Sequence, residues 1–89
     1  MVNSGTERVW LVERSYGRSE DLVTLVYASR DGERQVTRQL SRTVLSRTEM
    51  TAARDVPLER LETVPEEERE RYRDEAVRMA DSHDPDETV

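Results

Sequence analysis

The stretch that most limits the possible folds is Leu22–Ala28, the most apolar in the chain, followed closely by Asp31 and Gly32. It is rich in valine and leucine and contains a tyrosine, and its length of seven residues favours a strand over a helix. An Asp-Gly pair after such a strand is typical of a tight hairpin turn, because glycine adopts a positive φ without steric cost. The sequence therefore predicts a β-hairpin, with a further strand after Gly32.

Weaker patterns predict the strands on either side of this turn. Val9–Val12 is a short β-branched and aromatic run, which predicts strand one. Strand three would cover Glu33–Leu40, where only Val36 and Leu40 are apolar. A spacing of four also suits one turn of a helix, so the pattern leaves open whether residues 33–47 are a strand and then a helix or helical throughout.

Three further elements are predicted downstream. Ser41 can cap a short helix that ends near Arg47, and Thr51–Val56 is a candidate fourth strand that Pro57 would stop. The strongest helix signal covers Pro65–Asp81, since an early proline and acidic residues are typical of a helix start. The apolar positions of this helix share one face and are Tyr72, Ala76, Met79 and Ala80.

These elements predict an α+β fold: a small antiparallel sheet of three to four strands, a short helix after strand three, and a C-terminal amphipathic helix packed on one face. We expect a single α+β domain over residues 7–82, a flexible N-terminus over 1–6 and a disordered acidic tail over 83–89. The predicted core consists of Val9, Leu11, Leu22 or Val23, Leu25, Tyr27, Val36, Leu40, Leu45, Leu61, Tyr72, Ala76 and Met79.

Charge is the unusual property of the composition. The chain has 20 acidic and 14 basic side chains, a net charge of −6, and every basic residue is arginine. A GC-rich genome tends to encode arginine in place of lysine. A salt-rich cytoplasm favours surface carboxylates, which keep a protein in solution. We favour both causes together, which predicts a halophilic, haloarchaeal protein. A mesophile with a GC-rich genome is the alternative.

Five segments carry a resemblance that extends over most of the chain: Val9–Arg14, Leu22–Ala28, Asp31–Arg34, Arg69–Tyr72 and Arg78–Asp86. In order and content they are similar to a family of short uncharacterised haloarchaeal proteins of unknown function. The resemblance implies a free-standing domain of a halophile. It implies no activity, cofactor or site residue.

Few residues could support catalysis. Nucleophilic catalysis needs a serine, threonine or cysteine beside a positioned base, but the one histidine, His83, falls in the predicted tail. Catalytic carboxylates need environments that separate their pKa values, whereas the acids of this chain are predicted on a solvated helix face or in the tail. We therefore expect no enzyme activity, catalytic residue, cofactor or metal site. With no cysteine, signal peptide or apolar run of about 20 residues, we expect a cytoplasmic protein without membrane contact.

The charges are unevenly distributed along the chain. Residues 28–54 carry six arginines and three acids, a balance of +3, whereas residues 55–89 carry five arginines and thirteen acids, a balance of −8. Arg34, Arg38 and Arg42 are four apart, so they share a face on either a strand or a helix. Such a row predicts an anion-binding or nucleic-acid-binding surface. The alternative is that it pairs with the acidic C-terminal helix or with a second copy of the chain.

We consider three functions. The favoured one is a small non-enzymatic protein-interaction module, which could be a homodimer. Strand alternation puts Trp10 opposite Val9 and Leu11, so Trp10 and Val26 are candidate interface residues on the second sheet face. The alternative is a nucleic-acid-binding protein that uses the arginine row, although molar salt screens charge attraction within about 3 Å. An enzyme is the least favoured.

Overall fold

The computed structural model describes residues 5–16, 21–47 and 50–89. Its elements follow in the order β1 (Thr6–Tyr16), β2 (Leu22–Ala28), β3 (Arg34–Ser41), α1 (Arg42–Arg47), β4 (Ala53–Pro57), a 3-10 turn (Leu58–Arg60), β5 (Glu62–Thr63) and α2 (Glu66–Ser82). The predicted α+β class and its C-terminal helix are confirmed. Most of the predicted flexible N-terminus, residues 1–4, lies outside the described residues.

The strands form one antiparallel sheet in the order β4-β1-β2-β3-β5. The predicted count of three to four strands is wrong, because β5 also pairs with β3, at Arg34 and Gln35. Two polar residues give no alternating pattern, so the sequence contained no signal for β5. β3 pairs with β2 from Gln35 to Ser41, which excludes the alternative of a helix throughout residues 33–47.

The turn between β2 and β3 has the predicted left-handed glycine, with Gly32 at φ 73°. The turn is longer than a two-residue hairpin because side chains organise it. Asp31 Oδ1 accepts hydrogen bonds from Ser29 Oγ at 2.5 Å and from the Glu33 amide at 3.0 Å. Ser29 Oγ in turn accepts one from the Arg34 amide at 3.1 Å. These bonds hold a buried serine at the base of the turn.

A bulge in β1 changes which face its side chains occupy. Leu11 lies opposite Tyr27 of β2, whereas Glu13 lies opposite Val26, so Val12 is an extra residue in β1. An extra residue reverses the alternation beyond it. The bulge therefore places Glu13 on the same sheet face as Val26.

Helix α2 packs on this face of the sheet. Its buried residues, Tyr72, Ala76 and Met79, come from the predicted apolar stripe. Tyr72 joins a buried cluster with Val26, Ala28 and Val64. We call this side the helix face. Its apolar side chains are removed from solvent by one helix, as expected for a two-layer α+β domain.

The opposite side of the sheet, the concave face, closes upon itself. β3 and β4 are separated by β1 and β2 in the sheet, yet residues of both line one groove, so the sheet is strongly curled. The concave face carries fully buried side chains from the central strands, namely Val9, Val23, Leu25 and Tyr27. Val23 rather than Leu22 is the buried alternative, and Val36, Leu40, Leu45 and Leu61 pack on this core while only partly buried.

Residues 83–89, predicted as a disordered tail, run beside the segment that precedes β4. The amides of Ala52 and Ala53 donate to the carbonyls of Glu87 at 2.8 Å and Pro85 at 2.9 Å. The amide of Val89 donates to Met50 at 2.7 Å. The structure differs from the expectation because these bonds are made by the backbone, so a polar composition does not reveal them.

Candidate functional site

A groove on the concave face gathers arginine side chains from separate elements. Its volume is about 290 Å³, at the lower limit of the size typical of ligand sites. We call it the arginine groove. Its lining residues are Val36, Thr37 and Arg38 of β3, Arg54, Asp55, Val56 and Pro57 of β4, and Arg60 of the 3-10 turn.

The curled sheet explains how these arginines meet. Arg38 lies opposite Leu25 in β2, and Arg54 lies opposite Val9 in β1, so both belong to the concave face. Arg60 follows β4 in the short turn that leads towards β5 on the far edge of β3. Curling brings the two edges towards each other, so that all three arginines line the same groove.

No carboxylate in the described part of the chain neutralises this group of charges. Arg38, Arg54 and Arg60 form no ion pair with a described residue. The one acid in the lining, Asp55, pairs instead with Arg8 of β1, through Nε and Oδ1 at 3.0 Å. This hydrogen bond holds the pKa of Asp55 below its usual range. The groove therefore has an excess of positive charge, which an anion would relieve.

The buried ring of Tyr27 lies beside these charges. Its ring centroid is 5.9 Å from Cζ of Arg54, a cation–π distance. Its hydroxyl donates to the carbonyl of Thr51 at 3.1 Å. Burial raises the pKa of Tyr27, while the positive charges of Arg54, Arg38 and Arg14 act in the opposite direction. Because the ring is only 1% exposed, it orients Arg54 and offers no surface on which a base could stack.

The predicted arginine row is divided by the structure. Arg34 and Arg38 share the concave face of β3, and only Arg38 reaches the groove. Arg42 begins α1 and pairs with Asp21 at 3.2 Å, with its Cζ 5.5 Å from the ring of Tyr16. The row does not pair with α2 in any described contact. Arg54 and Arg60 were missed because they lie far from Arg38 in sequence and only the curl of the sheet unites them.

The candidate interface residues, Trp10 and Val26, are both buried. Their exposed fractions are 6% and 7%. The structure thus differs from the expectation of an open second sheet face, because α2 covers that face. Neither side chain offers surface to a partner of the folded chain.

A second polar cluster joins β1 to α2. Glu13 Oε1 accepts hydrogen bonds from Tyr72 Oη at 2.9 Å and from Arg71 Nη2 at 3.0 Å, and Glu13 Oε2 accepts one from Ser15 Oγ at 3.2 Å. Arg71 also pairs with Glu68. Burial, and then the hydrogen bond to Glu13, raise the pKa of Tyr72 to about 12. A tyrosine held protonated beside paired charges is a structural link rather than a base or nucleophile.

This cluster makes stability depend on pH. Burial acts to raise the pKa of Glu13, but hydrogen bonds from Tyr72, Arg71 and Ser15 together lower it below the usual 4.5. A lowered folded-state pKa contributes stability above pH 4.5 that is lost as the pH falls through the folded-state value. Wild type should therefore unfold at a higher temperature than Glu13→Gln near neutral pH, and the difference should shrink below pH 4.5. Thermal denaturation of both proteins from pH 7 to pH 3 measures this, and a constant difference would contradict it.

Other candidate chemistry is sparse in the described residues. Among them, no three histidine, cysteine or acidic side chains gather into a possible metal site. His83 caps the end of α2 through its backbone amide, which donates to the carbonyl of Met79 at 2.9 Å, and its Nδ1 atom is buried without a partner among the described residues. No helix of the described chain is long and apolar enough to cross a membrane.

Comparison with known proteins gives one family and no characterised relative. The model of the family of unknown function DUF7967 matches residues 3–89. No curated protein and no solved structure matches the chain.

Proposed function

The chain belongs to the family of unknown function DUF7967, and we propose that it is a small non-catalytic interaction module that binds an anionic group of a partner protein in the arginine groove. The observation that carries this proposal is the meeting of Arg38, Arg54 and Arg60 on one groove without a described acidic partner. Guanidinium groups bind carboxylates through paired hydrogen bonds, so converging arginines suit such a group.

We further propose that the protein works in the salt-rich cytoplasm of a haloarchaeon. The absence of lysine, the net charge of −6 and the resemblance described above support this. Long-range attraction is screened within about 3 Å in molar salt, so a binding site there must act by direct contact. Converging arginines that form paired hydrogen bonds to a carboxylate meet this requirement.

The two other candidate partners are a second copy of the chain and a nucleic acid. A second copy of the chain would be a protein partner too, and light scattering of the purified chain in molar KCl detects it. Nucleic acid is the alternative partner, which the spacing of Arg34, Arg38 and Arg42 in the sequence predicted. The ion pair of Arg42 with Asp21 and the burial of Tyr27 weigh against that alternative.

NMR of the arginine Nε–H groups tests the proposal residue by residue. Potassium sulfate is added in molar KCl, and the signals of Arg38, Arg54 and Arg60 should shift in a saturable way. The matched control is Arg30, which is exposed in the β2–β3 turn and remote from the groove lining. Its signal should follow ionic strength alone.

Substitution of single arginines measures how much each contributes to sulfate binding. Arg54→Gln should weaken sulfate binding about tenfold or more, because a hydrogen bond to a charged group contributes about 1.5–3 kcal/mol and 1.4 kcal/mol is a factor of ten. Arg30→Gln should leave binding unchanged. A uniform drift of all arginine signals, or equal binding by both variants, would remove the groove as a site.

A further inference from the structure

The rim of the arginine groove includes an unpaired strand edge. β5 pairs with β3 only at Arg34 and Gln35, so from Val36 to Leu40 the outer edge of β3 meets no described strand. Peptide groups on such an edge point outward with their hydrogen-bonding capacity unused. Three of the residues that line the groove, Val36, Thr37 and Arg38, lie on this open stretch.

The opposite rim, formed by β4, is less suited to pairing. Residues 85–89 already pair with the chain at and before Ala53, as described above. Pro57, at the other end of β4, has no amide hydrogen to donate. Only Arg54–Val56 remains between these limits. β3 therefore offers the longer free edge, and its open stretch contains no proline.

An open strand edge favours a ligand with a particular pattern of hydrogen-bond donors and acceptors. It presents N–H donors and C=O acceptors in alternation, and a peptide backbone supplies both complements. A phosphodiester backbone can accept hydrogen bonds from the N–H groups but cannot donate to the carbonyls. The ring of Tyr27 is also buried, so it offers no surface on which a nucleotide base could stack. The edge and the arginines together favour polypeptide.

Resting on the proposed function, we propose that the arginine groove binds an extended acidic peptide of another protein, which adds to the open edge of β3 and places a carboxylate among Arg38, Arg54 and Arg60. The alternation of a strand sends every second side chain to one face, so glutamate or aspartate at alternate positions would face the arginines. Described acidic segments of this chain are not available for the role, because α2 is helical and residues 84–89 are already paired.

The test uses a short capped peptide that alternates valine and glutamate, added to the full chain in molar KCl. We expect saturable binding, and slower hydrogen exchange at those amides of residues 36–40 that point away from β2. A matched peptide with glutamine in place of glutamate should bind about tenfold more weakly. So should the Arg38→Gln variant with the original peptide, whereas Arg30→Gln should bind it normally.

Backbone pairing is tested with N-methylated peptides. Only one alternate set of amides can face β3, so methylating that set should weaken binding about tenfold or more and methylating the other set should have a much smaller effect. Equal effects of the two sets, or binding without protection of β3, would overturn strand addition. So would preference for a single-stranded oligonucleotide over the peptide. If sulfate still shifts the groove arginines in that case, the anion site stands; if it does not, the proposed function fails as well.

Discussion

Gly32→Ala is expected to lower the free energy of unfolding by about 2–5 kcal/mol. A non-glycine residue in the left-handed region costs about 1–2 kcal/mol, and Gly32 has φ 73°. An added Cβ would also collide with α2, where it would meet the carbonyl oxygen of Arg69 and approach the amide nitrogen of Arg73 to 2.9 Å. Overpacking of this kind costs about 1–3 kcal/mol more. Backbone atoms cannot rotate away, so the turn or the helix must shift.

Urea denaturation in molar KCl measures this cost. The control is Arg30→Ala in the same turn, which is exposed and should change stability by no more than about 0.5 kcal/mol. A loss below about 1 kcal/mol for Gly32→Ala would show that the turn does not rest on α2.

Leu25→Ala should cost about 2–5 kcal/mol, the usual range for a fully buried leucine. Leu25 is 0% exposed although it lies on the concave face, opposite the face that α2 covers. In a flat sheet covered by one helix, this side chain would be open to solvent and its removal would cost little. The size of the loss therefore measures whether the sheet is curled.

Leu22→Ala is the matched control for this second prediction. Leu22 begins the same strand and is only partly buried, so the same substitution should cost clearly less. Denaturation of both variants under identical conditions gives the comparison. Similar small losses for the two leucines would mean that the concave face is open, and the arginine groove would then have no walls.

Local patterns in the sequence were sufficient for most of the elements. The Asp31-Gly32 pair indicated the turn, and Ser41 was expected to cap α1, which it does by accepting a hydrogen bond from the Val44 amide at 3.1 Å. A predicted α2 over 65–81 compares with Glu66–Ser82 in the structure. In each case the signal and the structure it specifies lie within a few residues of each other.

The features that the sequence did not predict depend on contacts between segments that are far apart in the chain. β5 and the pairing of residues 85–89 use backbone groups, which every residue carries, so side-chain patterns do not reveal them. The candidate site likewise depends on contacts between segments that are far apart in the chain. Arg38 stood out by its spacing, but Arg54 and Arg60 join it only because the sheet curls.

Because Trp10 is buried, its fluorescence reports on the packing around it. It is the single tryptophan of the chain, and it shares a buried cluster with Ala76 and Met79 of α2. Its fluorescence should consequently follow the docking of the helix, and it should change little when a ligand enters the arginine groove on the other side of the sheet. One sample can thus distinguish a ligand that enters the groove from a condition that detaches the helix.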